Sequence, residues 1–442
     1  MKTLLVSTYE LGRQPFGLAS PAAWLVTNGH DVACADLCVS PLKDDAVRRA
    51  GLIALYLPMH TATRLAALAI PKIRVTNPDA HLCCYGLYAP LNEAYLRKLG
   101  VQTILGGEFE SGLVSLANRL ERGTHASQTE ALVSLDKLHF IAPARDQLPP
   151  LDRYAKLHIN GSTHRAGYTE ASRGCKHLCR HCPVVPVYRG AFRVVQPAVV
   201  LEDIRRQIAG GAEHITFGDP DFLNGPTHAM RIVAEMHREF PSLTYDTTVK
   251  IEHLRKHRDL LPRLKETGCL FVTSAVESVD DAVLAKLEKG HTRADFFEVV
   301  RQFREIGLTL APTFIPFTPW TTRDSYRDQL AVLAEHELID KVAPIQLALR
   351  LLIPNGSRLL ELDDVRSTIT GFDESALLHR WKHPDPQLDA LADQALKLAG
   401  RRAPRREVFK ELWELASGDA LPENFDLMPR GTIPYMDEPW YC

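Results

Sequence analysis

Arg173-Gly174-Cys175-Lys176-His177-Leu178-Cys179-Arg180-His181-Cys182 sets three cysteines at Cys-x3-Cys-x2-Cys spacing, directly after a candidate strand, YTEAS (168–172). Three thiolates on one short loop supply three corners of an iron–sulfur cluster, whose soft irons prefer sulfur ligands. A cubane held this way keeps one iron open to a cofactor or substrate. The competing reading is a zinc site with His177 or His181 as fourth ligand. Structural zinc sites usually build two knuckles, however, and no second cysteine pair follows closely. Lys176, Arg180 and the two histidines make the loop polar, which argues against three unrelated core cysteines.

Downstream, HITFGD (214–219), TYDTTV (244–249), LFVTSAVE (270–277), TLAPTFIP (309–316) and PIQLALRLLI (344–353) read as further strands. Amphipathic helices are expected between them, near 197–209, 227–239, 253–266, 279–288, 294–305 and 323–336. Six β/α units over 165–355 predict a partial (β/α)6 barrel, shorter than a full eightfold one of ~250 residues. Chemistry in such barrels sits at the C-terminal strand ends, where the cysteine loop falls. Upstream, 1–125 alternates short apolar runs such as LLVST (4–8) with amphipathic stretches such as AAWLVTNG (22–29), with glycines at the junctions. That alternation predicts a doubly wound, Rossmann-like parallel sheet. Residues 126–164, with Pro149-Pro150, read as a linker, and 356–442 as a helical extension (387–400, 405–416) ending in a tail. The fold class is α/β.

Composition bounds the rest. The 442 residues carry 52 Lys+Arg and 54 Asp+Glu, a formal charge of −2, which excludes affinity resting on wholesale phosphate neutralisation. No window approaches 18 consecutive apolar residues, and the N-terminus reads as a buried strand rather than a signal peptide. A cytoplasmic protein with no membrane or nucleic-acid partner is expected. Thiols stay reduced in that compartment, so clustered cysteines favour metal chemistry over disulfides.

The cysteine loop after the first barrel strand resembles that of the radical S-adenosylmethionine (SAM) superfamily, over about 165–355. The resemblance implies a [4Fe-4S] cluster on Cys175, Cys179 and Cys182 whose open iron chelates SAM. A reductant such as flavodoxin or ferredoxin would feed it, and a carbon radical would act on a small-molecule substrate. It also implies SAM contacts from the strand ends. Asp219 and Asp221 of Gly218-Asp219-Pro220-Asp221 stand where the family often has Gly-Gly-Glu, and Glu277-Ser278 matches the family's fourth-strand pair. Thr313, Arg350 and Asn355 are further cofactor-binding candidates at the mouth. Lys289-Gly290-His291 resembles a segment that ends a helix in the family, and Gly106-Gly107-Glu108 lies upstream of the barrel.

The domain order, with ILGGEFE (104–110), resembles B12-binding-type radical SAM proteins. Histidine-ligating cobalamin domains carry Asp-x-His-x-x-Gly after the first strand; this chain has Tyr9-Glu10-Leu11-Gly12-Arg13-Gln14-Pro15. Either cobalamin binds with no protein ligand to cobalt, or the domain merely covers the barrel. The tail Pro434-Tyr435-Met436-Asp437-Glu438-Pro439-Trp440-Tyr441-Cys442 resembles the family with a Cys-Cys-Ala-Glu-Pro tail, in which selenocysteine can replace the second cysteine. That likeness makes Cys442 a catalytic candidate. It extends to arsinothricin biosynthesis, in which the 3-amino-3-carboxypropyl group of SAM moves to trivalent arsenic. Cys34, Cys38, Cys83 and Cys84 would suit such a thiophilic substrate, whereas Cys269 reads as core. The rival enzyme reading is a cobalamin-dependent methylase or ring-modifying enzyme. The rival non-enzyme reading is a metal-binding regulatory module.

Overall fold

The computed structural model describes residues 1–123, 128–422, 425 and 434–437. The first sheet holds β1 (Lys2–Ser7), β2 (Asp31–Asp36), β3 (Leu52–Tyr56), β4 (His81–Tyr85), β5 (Thr103–Gly107) and β6 (Val133–Ser134). All its pairs are parallel, in the order β2-β1-β3-β4-β5-β6. Central strands such as β3 are buried residue after residue, because helices cover both faces and two apolar cores form. The order reverses between β1 and β3, so the crevice beyond those strand ends is the topological switch point.

A hairpin then starts the second sheet. β7 (Lys156–Ile159) turns into β8 (Ser162–Thr169) through Asn160-Gly161, both at positive φ, the conformation a two-residue hairpin loop demands. β9 (Ser172–Gly174) and β10 (Phe192–Val194) form a short antiparallel pair that brackets the cysteine loop. β8, β11 (His214–Phe217), β12 (Thr244–Thr248), β13 (Cys269–Glu277) and β14 (Thr309–Phe314) run parallel in adjacent order as a curled half-barrel. Helices such as Pro197–Ala209, Pro226–Glu239 and Arg293–Ile306 bury their apolar faces on its outside.

The sixth strand expected over 344–353 does not form. Pro344–Leu347 is a 3-10 turn, and the segment meets the sheet only through a parallel bridge between Phe317 and Arg350. Two features oppose pairing. Pro344 has no N–H to give a ladder, and the Gln346 side chain accepts from the Phe314 amide at 3.2 Å where a strand backbone would stand. Beyond lie a hairpin, β15 (Ile369–Asp373) with β16 (Leu378–Trp381), and the helices Pro386–Ala399 and Arg405–Ser417. β17 (Tyr435–Met436) pairs antiparallel with β7 and extends the sheet edge.

Candidate functional site

The cysteine loop leaves β9 at Gly174, whose φ is +74°, and is fastened along its length. Asn224, fully buried in the turn after β11, accepts from the Lys176 amide at 3.2 Å and lies 3.8 Å from the Cys175 sulfur. The Arg180 amide donates to the Leu287 carbonyl at 3.0 Å, and Arg358 donates to the Leu178 carbonyl at 2.6 Å. Ser357 donates to the Arg180 carbonyl at 3.2 Å, so the Asn355-Gly356 turn clamps the loop from the far side. Cys179 is buried, and Cys175 and Cys182 are half-buried. Burial pushes the Cys182 thiol up to about 12 and also raises Cys175, so metal loading must expel protons as the thiolates form. Three soft donors on one pinned loop fit a cluster that needs thiolates.

A cation stands beside that loop. Lys289 is 3% exposed, and its ammonium faces Glu277 at 3.3 Å with the Cys179 and Cys182 sulfurs nearby. Burial opposes charge on both partners. Glu277 keeps Lys289 charged, while Lys289 and His181, 3.1 Å away, hold the Glu277 carboxyl down at about 2. Glu277 sits at φ +70° on a bulge of β13. A non-glycine residue held there carries backbone strain, which clusters at functional positions. The sequence reading named Glu277 but assigned Lys289 to a helix end; the partner that fixes Glu277 was in view and unrecognised.

The other anticipated residues are dispersed. Both Asp219 oxygens serve the β8–β9 corner, accepting from the Ala171 amide at 3.0 Å and the Ser172 hydroxyl at 2.5 Å. Burial raises the Asp219 carboxyl to about 7. Asp221 caps the next turn through the Leu223 amide and turns its second oxygen towards His253. Ser278 accepts from the Asp280 amide at 3.1 Å. Thr313 lies on the half-barrel's inner face, opposite the core residues Leu310 and Phe314. The Arg350 guanidinium lies 3.8 Å over the Trp381 ring and 2.7 Å from Asp389. Asn355 meets His379 at 3.2 Å. Cys442 lies outside the described residues.

Cys83 and Cys84 do not converge, and Cys34 packs against the core that holds Cys83. Cys83 and Cys84 are adjacent on β4, so strand alternation sends them into different cores, both fully buried. Cys269 is core. The upstream Gly106-Gly107-Glu108, in contrast, reaches the barrel. Arg173, two residues before Cys175, meets Glu108 at 3.3 Å, Glu110 at 2.7 Å and Glu170 at 2.7 Å. Its guanidinium also lies near the rings of Phe16, Phe109 and Phe140. No motif in the sequence pairs Arg173 with Glu108 and Glu110; only the docking of the two domains does.

A curled half-barrel with three clustered thiols at its carboxyl edge defines the class, and comparison agrees. The radical SAM superfamily profile matches residues 169–328, and this central domain belongs to that superfamily. A [4Fe-4S] cluster and SAM follow as its cofactors. The hopanoid C-3 methylase of Methylococcus capsulatus is 26% identical over 335 residues, covering 72% of this chain and 64% of the methylase. The chain thus spans under two thirds of that relative. Radical SAM methyltransferase TsrM from Kitasatospora setae, solved with tryptophan substrate and a SAM analog, superposes with TM-score 0.66 at 16% identity. The match covers 91% of this chain and 89% of that one. The cobalamin-dependent radical enzyme OxsB, with aqua-cobalamin bound, gives TM-score 0.67 at 14% identity over 89% and 66%. The fold is that of cobalamin-dependent radical SAM enzymes. No described helix is long and apolar enough to cross a membrane.

Proposed function

We propose that the protein is a cobalamin-dependent radical SAM methylase-type enzyme acting on a small molecule. The observation that carries the reading is the likeness to such enzymes across both domains, first sheet and half-barrel together. The hopanoid methylase, related over most of this chain, supports methyl transfer over aminocarboxypropyl transfer. The arsenic reading came from the likeness of the tail, whose Cys442 lies outside the described residues, with the surplus cysteines in support, and two of those are buried on opposite faces of β4.

At the first sheet's carboxyl edge, Ser7 Oγ and Glu10 Oε2 are buried without hydrogen-bond partners among the described residues. That unmet capacity fits the amide-fringed rim of a corrin, and Thr8–Pro15 offers no histidine to cobalt. Bound cobalamin supplies a methyl-carrying cobalt, the cluster supplies an electron, and SAM supplies the methyl group. The chain's own part is positional. Asn224, Arg358 and Ser357 fix the cysteine loop, Lys289 sets a positive charge beside its sulfurs, and Arg173 joins that loop to the first domain. The net charge of −2 suits a small substrate better than a polynucleotide.

The test is anaerobic reconstitution with iron and sulfide, with and without cobalamin, followed by SAM, dithionite and nucleoside identification. Cobalamin bands retained after desalting, with S-adenosylhomocysteine formed, support the reading. Failure to retain cobalamin overturns it. 5′-Methylthioadenosine as the product would restore aminocarboxypropyl chemistry.

A further inference from the structure

The cysteine loop has an outer side that faces solvent. Leu178, directly before Cys179, is a large apolar side chain left 45% exposed. It rests against Gly190, at φ +82°, where an added Cβ would lie 3.3 Å from Leu178 Cδ2 and 3.5 Å from the Lys176 carbonyl. Val194, 42% exposed, stands on the same face of β10 as Phe192, and the Lys176 ammonium lies 4.9 Å from the Phe192 ring. Lys176 and Arg189, next to Leu178 and Gly190, are exposed and have no ion pair among the described residues. Further along, Arg180 and Arg358 lie 2.6 and 2.7 Å from Glu288, and 3.9 and 3.1 Å from Glu361. Four cations against two carboxylates leave this face basic, on a chain whose net charge is −2.

We propose that this face, with Leu178 and Val194 at its centre and Lys176 and Arg189 at its rim, docks an acidic, low-potential electron-carrier protein that refills the cluster. The inference rests on the cluster assigned above and is independent of the methyl acceptor. Each reductive cleavage of SAM consumes one electron, which has to be replaced from outside. In the docked pair the carrier loses one electron and the cluster gains it; no bond forms or breaks, and no proton has to move. Leu178 and Cys179 are consecutive, with Cα atoms ~3.8 Å apart, so the apolar contact lies one residue from a cluster ligand. The size of the face suits a transient partner, because redox encounters bury less than about 1,200 Å². Unpaired cations at the rim raise the encounter rate and select the orientation of an acidic protein. The rest of the chain, slightly negative overall, offers such a protein no general attraction.

The experiment mixes the cluster-reconstituted full chain, without SAM or cobalamin, with two carriers of strongly acidic composition, a flavodoxin hydroquinone and a reduced ferredoxin. Stopped-flow absorbance reads cluster reduction, with dithionite as the small reductant for comparison. Carbodiimide cross-linking followed by mass spectrometry reads the contact itself. At least one carrier should reduce the parent ~10-fold faster at low salt than at high salt. Lys176→Glu combined with Arg189→Glu should slow that carrier by ~10-fold or more, and Leu178→Ala by ~3-fold, with cluster iron and the dithionite rate unchanged. Lys176 should carry the cross-link to the carrier. Lys397→Glu, exposed on the helix Pro386–Ala399, should change nothing. Carrier rates equal in the parent and the double variant overturn the proposal, as does equal slowing by Lys397→Glu. A matching fall in the dithionite rate would assign these residues to the cluster's own surroundings, and Lys176 cross-linked to a second copy of this chain would make the face a self-interface; either result sinks it. Because no SAM or methyl acceptor is present, a failed methylase assay leaves this result intact, whereas a parent that takes up no iron would refute the cluster and the docking face together.

Discussion

The molecule presents two carboxyl edges of parallel sheet, and they are furnished in opposite ways. At the half-barrel edge, thiols and imidazoles sit on a pinned loop, with the carboxylates of Asp221 and Glu277 beside it. At the first sheet's edge the rings of Tyr56, Tyr85 and Phe109 stack against one another, 4.9 to 6.0 Å apart, and two glycines are held under Tyr56. One edge is built to change its occupants and the other to hold a shape. The difference assigns the redox chemistry to the half-barrel and gives the first domain a holding role.

The sharpest way to break this contrast is to make one substitution on each side. Cys175→Ala should remove the cluster and cut reductive SAM cleavage by more than ~100-fold, read by iron analysis and nucleoside yield. Cys83→Ala, on β4, should leave both unchanged and cost only packing. Equal losses would mean that the first domain takes part in the chemistry. Arg173→Met tests the joint between the edges. It leaves Glu108, Glu110 and Glu170 without their buried cation, for an expected loss of ~3–5 kcal/mol in urea unfolding. Adding Glu110→Gln should recover part of that loss; no recovery would mean that the ion pair is not what Arg173 contributes.

A pH series sharpens the same joint. The Glu108 carboxyl stands at about 7: burial raises it most, Arg173 pulls it down and Glu110 raises it. Its ordinary value in the unfolded chain is ~4.3. The folded state therefore binds the proton more tightly. The stability this adds is complete below ~4.3 and is lost as pH rises through about 7. Glu108→Gln removes the titration, so the variant should gain on the parent by roughly 2–3 kcal/mol between about pH 5 and 8. A difference that stays flat with pH would place the Glu108 ionisation elsewhere.

The sequence made the cluster loop legible because its chemistry is local: three thiols on one loop need no tertiary information. The strands from β11 to β14 were legible for a similar reason, being short runs with punctuation at each end, whereas the expected strand 168–172 spans the break between β8 and β9, and β10 was not foreseen. The expected sixth strand was also an apolar run, but Gln346 and Pro344 turned it into a cap and a 3-10 turn. What stayed hidden was pairing across long separations. Lys289 with Glu277, Arg173 with Glu108 and Glu110, and His253 with Asp221 each join segments brought together only by folding. Strand alternation could not place Arg350, and the β15–β16 hairpin, unseen in the sequence, offers its guanidinium the Trp381 ring.

The smallest expected effect tests the shape-holding edge directly. Gly17 opens the helix Phe16–Thr27, and a Cβ there would lie 2.1 Å from the Tyr56 ring. The ring is hemmed in by Tyr85, 5.3 Å away, and Phe109, 6.0 Å away. Tyr85 also donates its hydroxyl to the Gly17 carbonyl at 2.7 Å, so the helix start cannot retreat without breaking a buried hydrogen bond. Gly17→Ala should therefore destabilise by ~1–3 kcal/mol, the cost of overpacking, although alanine favours a helix. Tyr56→Leu in the same chain should relieve the clash and return part of the loss, read as partial recovery of the urea midpoint. If Gly17→Ala is neutral or stabilising, this edge yields more readily than its packing implies, and the contrast between a fixed first domain and an adaptable half-barrel edge fails. Either outcome leaves the cluster untouched, since Gly17 contacts Tyr56 and Tyr85 rather than the cysteine loop.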